Sequence, residues 1–297
     1  MKWRGTPRRF FRMAFTVASI LAALATLTGP AKARDHGPAQ AGHYVPTAGP
    51  AEAGHYVQAP QSLPTTSDDR YAGLQWRFVR IKYHFVTEGT EISQDFAGEP
   101  WFIDGPAAEQ NLSRRVKTAT AIQVEDPIVL SLDDPRLFQY PWIYFVEPGT
   151  LRLQDHEVPI LREFLLRGGT AMFDDFHGPI EWENFAAEMR RVFPNRPIVE
   201  VPKGHTVFSC FYQIDGYPQV AGIGSFLQGR TWEKGGFVPH LRTIHDDNGR
   251  PMMFINWNTD MGDGWEWSNV AEFPGYLKFT SMAYQMAINE IVYSLTH

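Results

Sequence analysis

Residues 155–175, DHEVPILREFLLRGGTAMFDD, decide the fold class. Val158, Leu161, Phe164 and Leu165 recur at helical spacing, so Asp155 to Arg167 reads as an amphipathic helix. Pro159 falls in its first turn, where a missing N–H costs little. Gly168-Gly169 stops the helix. Thr170 to Phe173 then forms an apolar strand that ends on Asp174-Asp175. Upstream, Pro141 to Val146 (PWIYFV) is apolar at every position, as a central parallel strand covered on both faces is. Downstream, Ile180 to Phe193 places Trp182, Phe185, Met189 and Val192 on one helical side, and Ile198 to Val201 is short and extended. Strand, helix, strand, helix, strand in that order implies parallel strands joined by right-handed crossovers.

Working outward, Gln75 to Phe85 alternates apolar and basic residues and reads as another strand. Pro106 to Thr118 carries Leu112 and Val116 at helical spacing. The later segments read as antiparallel strands. Phe237 to Ile244 and Pro251 to Trp257 flank Asp246-Asp247-Asn248-Gly249, a hairpin signal because Asn-Gly tolerates positive φ. Tyr276 to Leu295 closes the chain as a helix. The expected architecture is one α/β domain over residues 71–297 with a mixed, mostly parallel sheet flanked by helices.

The N-terminus reads as an address. Residues 1–33 hold six basic residues and no acid. Residues 13–27 are uncharged and mostly apolar, and Ala31-Lys32-Ala33 has the form of a signal-peptidase site. That apolar run of about 15 residues is short of the roughly 20 that span a bilayer. Arg8-Arg9-Phe10-Phe11 partly matches a twin-arginine export signal, with Pro7 where Ser or Thr is usual. Residues 34–70 are rich in Ala, Gly, Pro, Gln, Ser and Thr and read as a disordered spacer. A periplasmic or secreted location follows, with no membrane insertion once the signal is removed. The rest of the chain carries 21 basic against 33 acidic residues, which would repel phosphate backbones, so nucleic acid is not expected as a partner. The single cysteine, Cys210, rules out a disulfide framework and a Cys-rich zinc site.

Several motifs mark a resemblance. They are the strand ending Tyr144-Phe145, Leu161-Arg162-Glu163-Phe164 running into Gly168-Gly169, then Asp174-Asp175. Phe193-Pro194, His205 followed by Phe208, and Gly229-Arg230 come next. The run from Asn256 to Glu266 (NWNTDMGDGWE) is the most specific, with Asn289 and Tyr293 in the last helix. Over most of residues 76–297 the chain resembles the bacterial domain-of-unknown-function 4159 family. The resemblance implies a flavodoxin-like fold related to class I glutamine amidotransferases and no established activity. Relatives are often encoded beside AAA+ ATPases and von Willebrand factor A proteins, which implies an envelope protein partner.

The residues themselves argue against several chemistries. An amidotransferase nucleophile sits on a Gly-x-Cys-x-Gly elbow, and Cys210 has no glycine within two residues. No Gly-x-Ser-x-Gly and no phosphate loop is present, and Gly222-Ile223-Gly224 lacks the third glycine of a dinucleotide loop. No cofactor is expected.

Acids and histidines remain. In a doubly wound sheet, ligands collect at the carboxyl ends of the strands. Glu147 ends one apolar strand, and Asp174, Asp175 and His177 end the next, so three carboxylates and one imidazole converge if the strands are neighbours. Such a set suits a hard divalent cation or a general acid–base pair; equally, the acids cap the following turn. His205 reads as a structural hydrogen bonder or a ligand. Asn258, Asp260 and Asp263 partly resemble a calcium loop without its spacing or its twelfth-position acid. They also suit an irregular loop held by carboxylate-to-backbone bonds. Trp257, Trp265 and Trp267 offer a flat apolar face for a sugar or partner. Together with Arg230 and Glu266, these residues form the candidate binding set.

The leading expectation is a non-catalytic module that binds a ligand or partner in the cell envelope. The alternative is a metal-assisted hydrolase using Asp174, Asp175 and His177. The functional surface is expected to join the Asp174–His177 turn to the Asn258–Glu266 loop, provided that Pro251–Trp257 is not antiparallel to its neighbour. Asp174 and Asp175 are read as surface groups, so changing both to Asn is expected to leave stability almost unchanged.

Overall fold

A computed structural model describes residues 69–86 and 99–297. The expected leader over residues 1–33 and nearly all of the expected spacer over 34–70 lie outside the described residues. Asp69–Tyr71 forms a short 3₁₀ turn, and Tyr71 is buried in the core.

Seven strands form one sheet. They are β1 (Gln75–Ile81), β2 (Gln123–Leu130), β3 (Trp142–Val146), β4 (Thr170–Phe176), β5 (Val199–Glu200), β6 (His240–Thr243) and β7 (Met253–Trp257), in the spatial order β2-β1-β3-β4-β7-β6-β5. The five strands from β2 to β7 in that order are parallel, and β6 and then β5 add antiparallel steps. The α/β class with a mixed, mostly parallel sheet is therefore observed. Six helices flank it: α1 (Ala107–Ala119), α2 (Glu157–Leu166), α3 (Gly178–Val192), α4 (Ile223–Leu227), α5 (Met261–Glu266) and α6 (Leu277–Thr296).

Alternation along the strands divides the core in two. Trp142, Tyr144 and Val146 of β3 face one layer, with Phe78, Phe254, and residues of α1, α5 and α6. Ile143 and Phe145 face the other, with Phe173, Ile255, and residues of α2 and α3. The all-apolar pattern of β3 thus records a strand covered on both sides. The Asp246–Gly249 hairpin is present, with Gly249 at φ +81 and Asp246 accepting from Asn248 and Arg250.

The antiparallel pairing of the Phe237–Ile244 and Pro251–Trp257 segments is observed, and the direction of the second against β4, which decides where its loop emerges, is parallel, pairing Met172 with Phe254. The loops after β4 and β7 therefore leave the same edge of the sheet. Among the described residues no helix is long and apolar enough to cross a membrane.

Candidate metal centre

The carboxyl end of β4 is the base of the site. Asp174 is fully buried and faces the α1/α5/α6 layer. Its two oxygens accept the backbone N–H groups of Met261 (3.3 Å) and Gly262 (2.9 Å), and Tyr144 donates its hydroxyl at 3.1 Å. Asp174 thus supplies partners for the otherwise unpaired first N–H groups of α5. Burial, then the neighbouring Asp175, push its pKa up to about 7. This corrects the surface reading of the pair: Asp174 is part of the core.

Asp175 breaks the strand geometry: its backbone is left-handed, at φ +57, and the β4–β7 register shifts between Phe173 and Phe176. Only 8% of it is exposed. One oxygen meets His177 Nε2 at 3.1 Å, and the other has no hydrogen-bond donor among the described residues. His177 is buried, and its Nδ1 is unpartnered. Glu147, just past β3, lies in the field of Asp175; burial, then that charge, raise its pKa to about 8. The expected convergence after β3 and β4 therefore holds for Glu147, Asp175 and His177, while Asp174 is committed to α5.

The loop after β7 brings more acids. Asp260 caps α5 by accepting the N–H of Asp263 at 2.8 Å. Asp263 accepts from Ile223 N at 2.6 Å and from Trp267 Nε1 at 3.0 Å, tying α5 to α4. Glu266, at the end of α5, is half-buried, and its pKa is raised to about 7 by burial and then by Asp263. What was read as an irregular loop is in part the short helix α5, held by these two caps despite two glycines.

Asp104 completes the cluster and was not foreseen. It precedes α1 in a left-handed conformation, φ +63. Its Oδ2 is sealed from solvent and has no hydrogen-bond partner among the described residues. Arg80 fixes the approach to it: the guanidinium pairs with Glu109 through two bonds (3.2 and 2.6 Å) and donates to the carbonyls of Trp101 (3.2 Å) and Ile103 (3.1 Å). Ligand atoms of Asp104, Asp175 and Asp260 all lie within 4.8 Å of one another, and so do those of Asp104, Asp263 and Glu266. Burial and mutual repulsion raise the pKa values of Asp104, Asp175 and Asp260 well above the ordinary carboxylate range.

Two glycines make room for this crowding. A Cβ on Gly262 would fall 2.0 Å from Asp104 Oδ2. One on Gly222 would fall 2.5 Å from Glu233 Oε1 and 2.8 Å from Asp260 Oδ2. Glu233 is thus a second acid that the sequence reading did not single out. Lys234 is the nearby cation on this side and is bonded to Glu181 at 2.6 Å. An all-carboxylate donor set suits a hard divalent cation such as Mg²⁺, Ca²⁺ or Mn²⁺.

Other candidates fall elsewhere. Asn258, at φ +65, is a stitch: its Oδ1 accepts from Gly178 N (2.9 Å) and its Nδ2 donates to Val238 O (2.7 Å). Trp265 is wholly buried against Tyr144 and Phe78, and Trp257 packs on Trp182 in the opposite layer, so the flat tryptophan face is not formed. His205 caps a 3₁₀ turn, accepting from Val207 N, and packs at a tilt against Tyr293 of α6. Arg230 donates to Gln228 and lies over Trp232. Cys210 donates to Asn289 O, and burial pushes its pKa up to about 11, unlike an activated nucleophile. A cavity of about 620 Å³ lies between α1 and the edge strand β2, and none of the cluster's acids lines it.

The model of a domain of unknown function, DUF4159, matches residues 77–295. No curated protein matches the chain in sequence. Among solved structures, exo-beta-1,4-mannosidase Op5Man5 from Opitutaceae bacterium strain TAV5 is 14% identical with a TM-score of 0.30. That match covers 73% of this chain and 35% of the mannosidase, so the chain spans about a third of that enzyme's length. A likeness this weak bears on neither activity nor substrate.

Proposed function

We propose that this chain, which belongs to the DUF4159 family, binds a hard divalent cation in the carboxylate cluster and uses it to hold an anionic ligand or partner outside the cytoplasm. One observation carries the reading: Asp104 Oδ2 is buried without a hydrogen-bond partner among four other carboxylates. An ionised acid in that position is costly unless a cation or a proton meets it. The basic and apolar N-terminal sequence supports export. Parallel strands with crossover helices support an amidotransferase-type scaffold, here without its nucleophile.

Metal-assisted hydrolysis is a second reading, favoured by Glu147. Its pKa of about 8 places it near the range of a general base at neutral pH, beside the cluster. The test is calorimetric titration of EDTA-stripped protein with Mn²⁺ and with Ca²⁺. Binding at micromolar affinity that falls at least tenfold in Asp104→Asn supports the proposal. Absence of saturable binding to the folded wild type overturns it. Cation-dependent cleavage of a p-nitrophenyl ester that is lost in Glu147→Gln would favour hydrolysis over binding alone.

A further inference from the structure

We infer that the cluster holds two divalent cations, with the Asp104 carboxylate bridging them. The inference rests on the cation-binding reading and goes beyond it in stoichiometry and in the role given to Asp104.

Three observations lead there. First, Asp104 belongs to both ligand triads. The other members of each triad come from different places. Asp175 and Asp260 stand at the end of β4 and at the cap of α5. Asp263 and Glu266 stand three residues apart on α5 itself and therefore share one helix face. Two groups of donors meet at one carboxylate, and a carboxylate has an oxygen for each. Second, Asp104 and Asp175 keep donor atoms that the fold does not use, whereas Asp260 and Asp263 also accept backbone or indole N–H groups. Asp104 Oδ2 is sealed and unpartnered. Asp175 is more than nine-tenths buried, and only its His177-facing oxygen is engaged among the described residues.

Third, the charges favour it. Asp104, Asp175, Asp260, Asp263 and Glu266 amount to five negative charges when ionised. His177 meets Asp175 directly, and Arg80 and Lys234 are already committed to Glu109 and Glu181. One divalent cation leaves a charge of −3 in a buried space, and two leave −1. Like charges so close in a low-dielectric interior repel strongly, so the second cation removes the larger part of what remains. Gly262 and Gly222 keep the space free of side-chain carbon on the Asp104 and Glu233 sides.

The experiment counts cations on the full chain, stripped with EDTA and loaded with Mn²⁺ alone. Native mass spectrometry should find two ions per chain. Electron paramagnetic resonance should show a spin-coupled Mn²⁺ pair. Glu266→Gln and Asp175→Asn should each retain one ion and give an uncoupled signal. Asp104→Asn should lower affinity for both ions at least tenfold and abolish coupling. Glu266 is only half-buried, so its variant will fold; circular dichroism in EDTA checks the other two. One tightly bound ion in the wild type, with an uncoupled signal, overturns the two-cation inference and leaves the cation site standing. No bound ion at all overturns both. Two ions that survive Asp104→Asn with their coupling intact overturn the bridging role.

Discussion

Asp174 and Asp175 are neighbours with opposite duties, and substituting them separately exposes the difference. Asp174→Ala removes the acceptor for Gly262 N at 2.9 Å, for the Tyr144 hydroxyl at 3.1 Å and, more weakly, for Met261 N at 3.3 Å. Each buried donor left without a partner costs roughly 1–3 kcal/mol. Two good bonds and one long one give a loss of about 3–4 kcal/mol. Relief of the repulsion from Asp175 returns part of that, so the net loss is about 3 kcal/mol. Against a typical total of 5–15 kcal/mol this is severe. Asp174→Asn keeps one acceptor but turns an N–H₂ toward a donor, for a loss of about 1–2 kcal/mol. Asp175→Asn removes a buried charge that supports no helix, and stability at pH 7 should hold or rise. Urea unfolding followed by tryptophan fluorescence is the assay, because Trp265 packs 5.6 Å from Tyr144 and reports directly on α5. The reasoning is refuted if Asp174→Ala unfolds at the wild-type urea midpoint, or if Asp175→Asn is equally destabilising.

The acids of the cluster also set a pH dependence. Asp174 and Glu266 have folded-state pKa values of about 7 and Glu147 of about 8, above the usual value near 4. The folded state therefore binds more protons than the unfolded one between roughly pH 4 and 8, and stability falls as pH rises through that window. Melting temperature of the metal-free domain should drop from pH 5 to pH 8, and Mn²⁺ at pH 8 should restore it; a flat or rising profile contradicts the burial of these acids. Gly262→Ala should weaken Mn²⁺ binding at least tenfold by displacing Asp104, whereas Gly224→Ala, with open space around its Cα, should leave the titration unchanged.

The sequence made the central layers legible because their residues answer to one local rule each. β3 is apolar at every position and β4 is apolar up to its two acids, and helices α2 and α3 carry clear one-sided patterns. β2 was not legible: Glu125, Asp126 and Pro127 interrupt it, and only an edge strand accommodates a proline in the ladder. That β7 also pairs in parallel with β4 was not legible either, since alternation carries no sign and the hairpin signal fixes its direction only against β6. Asp175, Asp260, Asp263 and Glu266 were found from their place after strands. Asp104 and Glu233 were not, because each sits in an irregular segment and meets the others only through the packing of α1 and α4 around α5. The helix α5 escaped notice for a related reason. Its sequence MGDGWE is a poor helix former by itself, and the buried Asp174 and the cap Asp260 supply what propensity does not.

The anchorage of Asp104 by Arg80 has a consequence for chain length. Arg80 grips the carbonyls of Trp101 and Ile103 from within β1, and its partner Glu109 lies in the first turn of α1. On the other side, Val86 is fastened by its N–H to Thr150 O at 2.8 Å. Both clamps lie outside residues 87–98. The backbone that leads into Asp104 is therefore set by a side chain of β1, so an insertion or deletion before Glu99 that leaves Arg80 and its bonds in place is expected to leave cation binding unchanged in a Mn²⁺ titration.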